Sequence, residues 1–111
     1  MKHLKIFEQY IGEKYIAYPG YDDVELTGYV DGKKAKLNYI KVKAAQRGSG
    51  IGKQAVQDFE KWAKSNGAKY VEIDAYKKSI PFWQKLNYKI EKEFPIIHGY
   101  KQSFKTGIKE L

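Results

Sequence analysis

The chain has 111 residues, 42% hydrophobic and 15% aromatic, enough for a single domain over residues 1–111 and too short for two. It has no cysteine, which excludes disulfides, thiolate metal sites and a cysteine nucleophile, and its two histidines, His3 and His98, lie too far apart in sequence to suggest a zinc site. The formal net charge is +8, concentrated in residues 46–111 with 13 basic against 7 acidic side chains; this reads either as a solvated lysine surface or as attraction for an anionic ligand, an acidic partner or nucleic acid, and it disfavours small polyamines.

Leu4 to Tyr18 mixes apolar and polar residues and predicts one or two short strands, with a turn at Gly12-Glu13. No apolar run there is long enough for a signal peptide or a membrane span, so a soluble, cytoplasmic protein with no membrane contact is expected. Pro19-Gly20 is a turn signal. Val24 to Val30 reads as a strand, Asp31-Gly32 as a two-residue hairpin loop, and Ala35 to Val42 as the return strand. Strict alternation would put Leu37, Tyr39 and Lys41 on one face and Asn38, Ile40 and Val42 on the other.

Ile51 to Asn66 is the clearest helix, with Ile51, Ala55, Val56, Phe59, Trp62 and Ala63 on one face and Gly67 as its closing cap. Lys69 to Ala75 alternates as a strand. Ser79 can cap a short second helix with Pro81 in its first turn, and Asn87 can take the left-handed closing position. Tyr88 to Phe94 and part of Tyr100 to Ile108 alternate again, joined by Pro95 to Gly99. The order predicts a mixed α/β (α+β) layout around one sheet.

The stretch from Val42 to Gly52 carries the most functional information. It joins a strand to a helix through three glycines and an arginine, and such a turn aims several backbone N–H groups at one point beside a positive helix end. That suits a phosphate or pyrophosphate, although a tight turn without a ligand is the plain structural alternative. A Walker A loop is excluded, because Gly52-Lys53 is followed by Gln54 and position 47 is arginine. A dinucleotide fingerprint is excluded too, because Lys53 stands where a third glycine belongs.

What remains is Gln46-Arg47-x-x-Gly50-x-Gly52 between a strand and a helix, and it resembles the acetyl-coenzyme A loop of the GNAT N-acetyltransferase family. Farther on, Ala75-x-x-x-Ser79-x-x-Phe82-Trp83-Gln84-Lys85-Leu86-Asn87-Tyr88 keeps the spacing of that family's later motif. The resemblance covers about residues 24–94 and implies a single mixed, mostly antiparallel sheet flanked by two helices. It implies acetyl-coenzyme A as cofactor, with the pyrophosphate held by the amides of Arg47, Gly48, Ser49, Gly50, Ile51 and Gly52 after Gln46. The backbone of Ile40 and Val42 would pair with the pantetheine arm, Phe82 and Trp83 would pack beside the cofactor, and Lys85 would approach its phosphates. The implied reaction is acetyl transfer to a primary amine.

Two departures bear on mechanism. Trp83 stands where many members of the family carry a proton-donating tyrosine, and an indole N–H is no general acid near neutral pH. Lys36 stands where many carry a glutamate base. Glu25, Glu72 and Asp74 are the candidate replacement bases, and Tyr76 and Tyr88 the candidate acids. The family also places two helices ahead of the hairpin, and about 23 residues before Val24 are too few for them, so those helices are expected to be reduced or absent and the acceptor site open. An open site suits an amine on a protein, a lysine or an N-terminus, or on another macromolecule. A non-catalytic coenzyme A-binding or protein-interaction domain on the same fold is the alternative. A nucleic-acid-binding domain has the charge but no recognisable motif. The last two strands could pair across a homodimer, so either monomer or dimer is expected.

Overall fold

The computed structural model describes residues 5–8, 14–17, 24–44 and 47–111. The turn signals at Gly12-Glu13 and Pro19-Gly20, and the loop residue Gln46, lie outside the described residues. Strands β1 (Lys5–Glu8), β2 (Lys14–Ala17), β3 (Val24–Asp31) and β4 (Lys34–Val42) form an antiparallel meander. Residues 9–13 separate β1 from β2, and among the described residues no helix precedes β3. Helix α1 (Ile51–Ser65) then crosses to β5 (Tyr70–Tyr76), which lies parallel to β4. A 3-10 turn at Lys77–Ser79 leads into helix α2 (Ile80–Lys85). Strand β6 (Lys89–Ile90) is an edge, β7 (Ile96–Ile97) and β8 (Tyr100–Lys101) form a separate ribbon, and β9 (Phe104–Glu110) returns between β5 and β6. The main sheet runs β1-β2-β3-β4-β5-β9-β6.

Both helices cover one face of this sheet. Helix α1 brings Ala55, Val56, Phe59, Trp62 and Ala63 onto Leu26, Val30, Leu37, Val71 and Ile73, and Trp83 and Leu86 of the α2 segment complete the core. Among the described residues no helix lies on the other face, and the shortest extent of the molecule is 22 Å. This is the expected mixed, mostly antiparallel architecture with two helices.

The pairing of β3 with β4 slips by one residue. Thr27 opposes Tyr39 but Gly28 opposes Leu37, so Asn38 is an extra residue in β4. The strict alternation expected for this strand therefore fails. Ala35 and Leu37 are buried before the bulge, Ile40 and Val42 face the same core after it, and Tyr39 is exposed. The other differences are local. The hairpin loop lies one residue later than Asp31-Gly32, since Asp31 pairs with Lys34 and Gly32 takes the positive φ of 62°. Ser79 does not cap α2; its Oγ donates to the Tyr76 carbonyl at 2.9 Å. Only Lys89–Ile90 of the Tyr88–Phe94 segment is a strand, and Pro95–Gly99 is not a simple link but holds β7 and its turn. Gly67 and Asn87 adopt the expected left-handed conformation, at φ 94° and 70°.

Gly28 shows how tightly the bulge is packed. A Cβ there would sit 2.8 Å from Phe59 Cζ and 2.6 Å from the Lys36 carbonyl oxygen. Gly28→Ala is therefore expected to cost about 1–3 kcal/mol through overpacking, measured as a lower urea midpoint at unchanged slope.

Candidate functional site

The bulge separates β4 from β5. The two strands pair over only four positions, Lys34↔Tyr70 to Leu37↔Ile73, although β4 continues to Val42 and β5 to Tyr76. Past Leu37 the strands fork, and the β4 backbone groups that face β5 there have no ladder partner. A cavity of about 560 Å³ occupies this end of the sheet. Ile40, Lys41 and Val42 form one wall, and Ser79, Phe82 and Trp83 the other. The floor is the glycine turn with Arg47, Gly48, Gly50, Gly52 and Lys53.

The turn has the geometry of an anion cradle. Gly48 and Gly50 both lie at φ 86°, and a Cβ on either would meet nothing within 4 Å, so both backbones face open space. Gly50 is the N-cap of α1, and its carbonyl accepts the first helical bond from Gln54 at 3.0 Å. The first-turn amides of Ile51, Gly52 and Lys53 have no acceptor within the helix. Ile51 N–H makes a long contact with Ser49 Oγ, 3.4 Å. At Gly52 a Cβ would come within 3.1 Å of Val42 and 3.8 Å of the Phe82 ring, so a side chain there would close the cavity floor. Arg47 Nε donates to the Val42 carbonyl at 3.1 Å and ties the turn back to β4. Among the described residues no carboxylate lines the cavity, whereas Lys41, Arg47 and Lys53 do. The lining thus fits an anionic ligand with an apolar arm.

Of the predicted cofactor residues, Ile40, Val42, Arg47, Gly48, Gly50, Gly52, Phe82 and Trp83 come together around this cavity. Ser49 and Ile51 belong to the turn without lining it, and Lys85 is exposed outside it. Lys41, Lys53 and Ser79 are lining residues that the sequence reading passed over. Lys53 had a signal: a cation in the first helical turn opposes the helix dipole, which makes sense where an anion sits between them.

The candidate acids and bases are dispersed. Glu72 and Asp74 project from the face of β5 opposite the helices, and both accept from Lys36 Nζ, at 3.0 and 2.7 Å. Burial acts to lower the Lys36 pKa, but the hydrogen bonds and charges of Asp74 and Glu72 outweigh it, so the ammonium is held charged above its ordinary range. Asp74 is the first β5 residue beyond the fork. Glu25 is exposed near the start of β3, across from the lining residue Lys41, and does not itself line the cavity. Tyr76 is exposed at the end of β5, its ring edge-on to Phe104 at 5.8 Å. Trp83 is buried between Phe82 and Tyr88, with ring centroids 5.0 and 5.2 Å away. Tyr88 is also buried and does not line the cavity; its hydroxyl donates to Glu60 Oε2 at 2.8 Å, while Lys109 Nζ donates to Glu60 Oε1 at 3.0 Å.

The sequence profile of the Acetyltransferase (GNAT) family matches residues 5–88. The chain belongs to that family. It is a GNAT-type acyltransferase by family and fold. An acetyltransferase from Bacillus cereus superposes over 100% of this chain and 74% of its own, with a TM-score of 0.70 and 18% identity. A Bacillus subtilis acetyltransferase in complex with CoA matches over 100% of this chain and 99% of its own, at 0.69 and 16%. The PaiA N-acetyltransferase from Thermoplasma acidophilum, also in complex with coenzyme A, matches over 89% and 60%, at 0.69 and 17%. No curated protein matches the sequence. Among the described residues no helix is long and apolar enough to cross a membrane.

The Tyr88–Glu60–Lys109 cluster ties α1 to β9 and to the segment after α2. Burial first, then the charge and hydrogen bond of Glu60, push the Tyr88 phenol well above its ordinary value. A raised folded-state pKa stabilises the fold below the unfolded value of about 10 and loses that contribution as pH rises past it. Tyr88→Phe is expected to cost about 1–3 kcal/mol at neutral pH by leaving Glu60 short of a donor. Its urea stability should then fall less steeply than that of the parent protein between about pH 9 and 11.

Proposed function

We propose that the fork between β4 and β5 binds acetyl-coenzyme A and that the protein transfers its acetyl group to a primary amine carried by a protein or another macromolecule. The observation that carries this reading is the cavity itself. A polar, anion-accepting floor at Gly48–Lys53 continues into an apolar passage between Val42 and Phe82, and unpaired β4 backbone runs alongside it. On this reading the turn amides with Arg47 and Lys53 hold the pyrophosphate, and the backbone of Ile40 and Val42 pairs with the amide-bearing arm as a strand would. Gln46 remains a candidate contact next to the turn. When bound, the cofactor supplies an activated thioester that an amine attacks directly.

The chain's own task is then positioning. The walls from Ile40 and Phe82 keep water from the reacting end, and the fork opens toward the sheet face that no described helix covers. That face bears Glu72 and Asp74, so an ammonium approaching there meets carboxylates, with Asp74 the candidate to accept its proton. The buried indole of Trp83 and the Glu60-bound hydroxyl of Tyr88 favour a second reading, a protein that binds coenzyme A without turnover, because neither group stands ready to protonate a departing thiolate.

Coenzyme A at a hundredfold excess over its Kd is expected to stabilise the protein by about 2.7 kcal/mol, read as a rise in Tm; no rise would sink both readings. Release of free thiol from acetyl-coenzyme A with a lysine peptide separates enzyme from binder. Gly50→Leu forces a left-handed residue at a cost of about 1–2 kcal/mol, and its Cβ would meet no protein atom within 4 Å. It is expected to leave the protein folded and to weaken coenzyme A binding at least tenfold by calorimetry; retained affinity would place the pyrophosphate elsewhere. Asp74→Asn is expected to lower the rate of thiol release about tenfold with coenzyme A affinity unchanged.

A further inference from the structure

The ribbon formed by β7 and β8 leaves its apolar side chains in water. Its two-residue loop, His98-Gly99, has positive φ at both positions, 52° and 81°, the combination that a tight hairpin of right-handed twist requires. Two short strands bury little on their own. Ile96 is 71% exposed, Tyr100 75% and Ile97 43%. Beside them the Lys101 and Lys105 ammonium groups lie 5.6 and 5.0 Å from the centroid of one ring, Phe94. Neither lysine is in an ion pair with a carboxylate among the described residues. Lys92 adds a third positive charge, and within residues 92–105 only Glu93 opposes them.

The ribbon stands at the cavity end of the sheet. The cavity lies beyond the C-terminal ends of the β4–β5 pairing, and β9 begins there, with Phe104 opposite Tyr76. Gln102 and Ser103 alone join β8 to β9.

We propose that this ribbon is a docking surface for an acidic polypeptide segment bearing apolar side chains, and that the segment belongs to the acceptor protein, the latter resting on the acetyl transfer proposed above. A second copy of the chain is a poor occupant, because it brings the same lysines and a net charge of +8. A lipid surface would take up Ile96 and Tyr100 but could not pair with strand backbone. Among the described residues β7 pairs with β8 alone, so the outer edge of the ribbon is open to an added strand. An extended segment satisfies all three features at once: main chain on the ribbon edge, apolar side chains on Ile96 and Tyr100, and carboxylates on Lys101 and Lys105.

The test uses two twelve-residue peptides with one central lysine, flanked in one by alternating glutamate and leucine and in the other by glutamine and serine. Binding to the coenzyme A-loaded protein is read by fluorescence anisotropy at near-physiological salt, and turnover by thiol release. The acidic peptide is expected to bind at least tenfold more tightly. Ile96→Ser with Tyr100→Ser, and separately Lys101→Glu with Lys105→Glu, should each weaken its binding roughly tenfold. Both pairs should leave the thermal shift with coenzyme A and the acetylation of butylamine unchanged. Equal affinity for the two peptides, or binding that survives both variants, would overturn the proposal. So would a ribbon-dependent attachment to phosphatidylserine vesicles that the acidic peptide fails to compete. Ribbon-dependent peptide binding without thiol release would sustain the docking surface and sink the transfer reading.

Discussion

The extra residue at Asn38 is the constraint on which the rest of the molecule depends. A strand that alternated strictly from Ala35 would send Ile40 and Val42 to the face without helices and expose them. The bulge adds one residue, so Leu37 before it and Ile40 and Val42 after it all reach the core beneath α1. The same insertion increases local twist, and β4 leaves β5 after four paired positions. Backbone groups freed in this way must find partners, in water or in a ligand. A single inserted residue therefore closes the hydrophobic core and opens the cavity. Gly28 is the complementary device: opposite the slip, the absence of a side chain lets Phe59 and the Lys36 carbonyl approach.

Charge is sorted by this geometry. Among the described residues Lys41, Arg47 and Lys53 line the cavity and no carboxylate does, while Glu72 and Asp74 lie on the face of β5 away from the helices. Glu60 is withdrawn into the core and held by Tyr88 and Lys109. The cavity lining thus attracts anions, while the helix-free face beside the fork sets Glu72 and Asp74 against Lys36 and Lys41. On the proposed reading an anionic donor and a cationic acceptor would approach from different sides and avoid competing for one set of charges. Lys36 fits that arrangement, since it balances part of the charge of two half-buried carboxylates that would otherwise repel each other.

Much of this is legible in the chain alone. The apolar stripe from Ile51 to Ala63 defined α1, and the glycines at 48, 50 and 52 located the cradle, because helix periodicity and glycine spacing are local signals. The strands β3, β4 and β5 were legible for the same reason. Asn38 was not. A bulge is set by which side chains the core accepts, and Asn38-Tyr39-Ile40 alternates as well in one register as in the next. The ribbon of β7 and β8 was missed because Ile96-Ile97 reads as a short apolar link, although His98-Gly99 carries turn chemistry. Ser79 looked like a helix cap by residue type, but the preceding 3-10 turn puts its hydroxyl on the Tyr76 carbonyl. The placement of Tyr88 depends on Glu60, 28 residues earlier, a pairing that no local pattern reveals.

Tyr88 and Trp83 together explain why aromatic residues near the cavity do not translate into acid catalysis. A tyrosine that protonates a leaving group must hold a labile proton and face the reacting atoms. Tyr88 meets neither condition, since burial and Glu60 hold its proton and its hydroxyl points into the α1–β9 interface. Trp83 touches the cavity, but its ring is locked edge-on between Phe82 and Tyr88, and its N–H does not ionise in the useful range. The aromatic column Phe82–Trp83–Tyr88 thus acts as a wall rather than a relay. It fixes α2 against α1, keeps Phe82 within reach of Gly52, and so sets the width of the passage below the turn. On the proposed reading, a reaction in such a cavity draws its rate from orientation and exclusion of water, with protons exchanged on the open side of the fork.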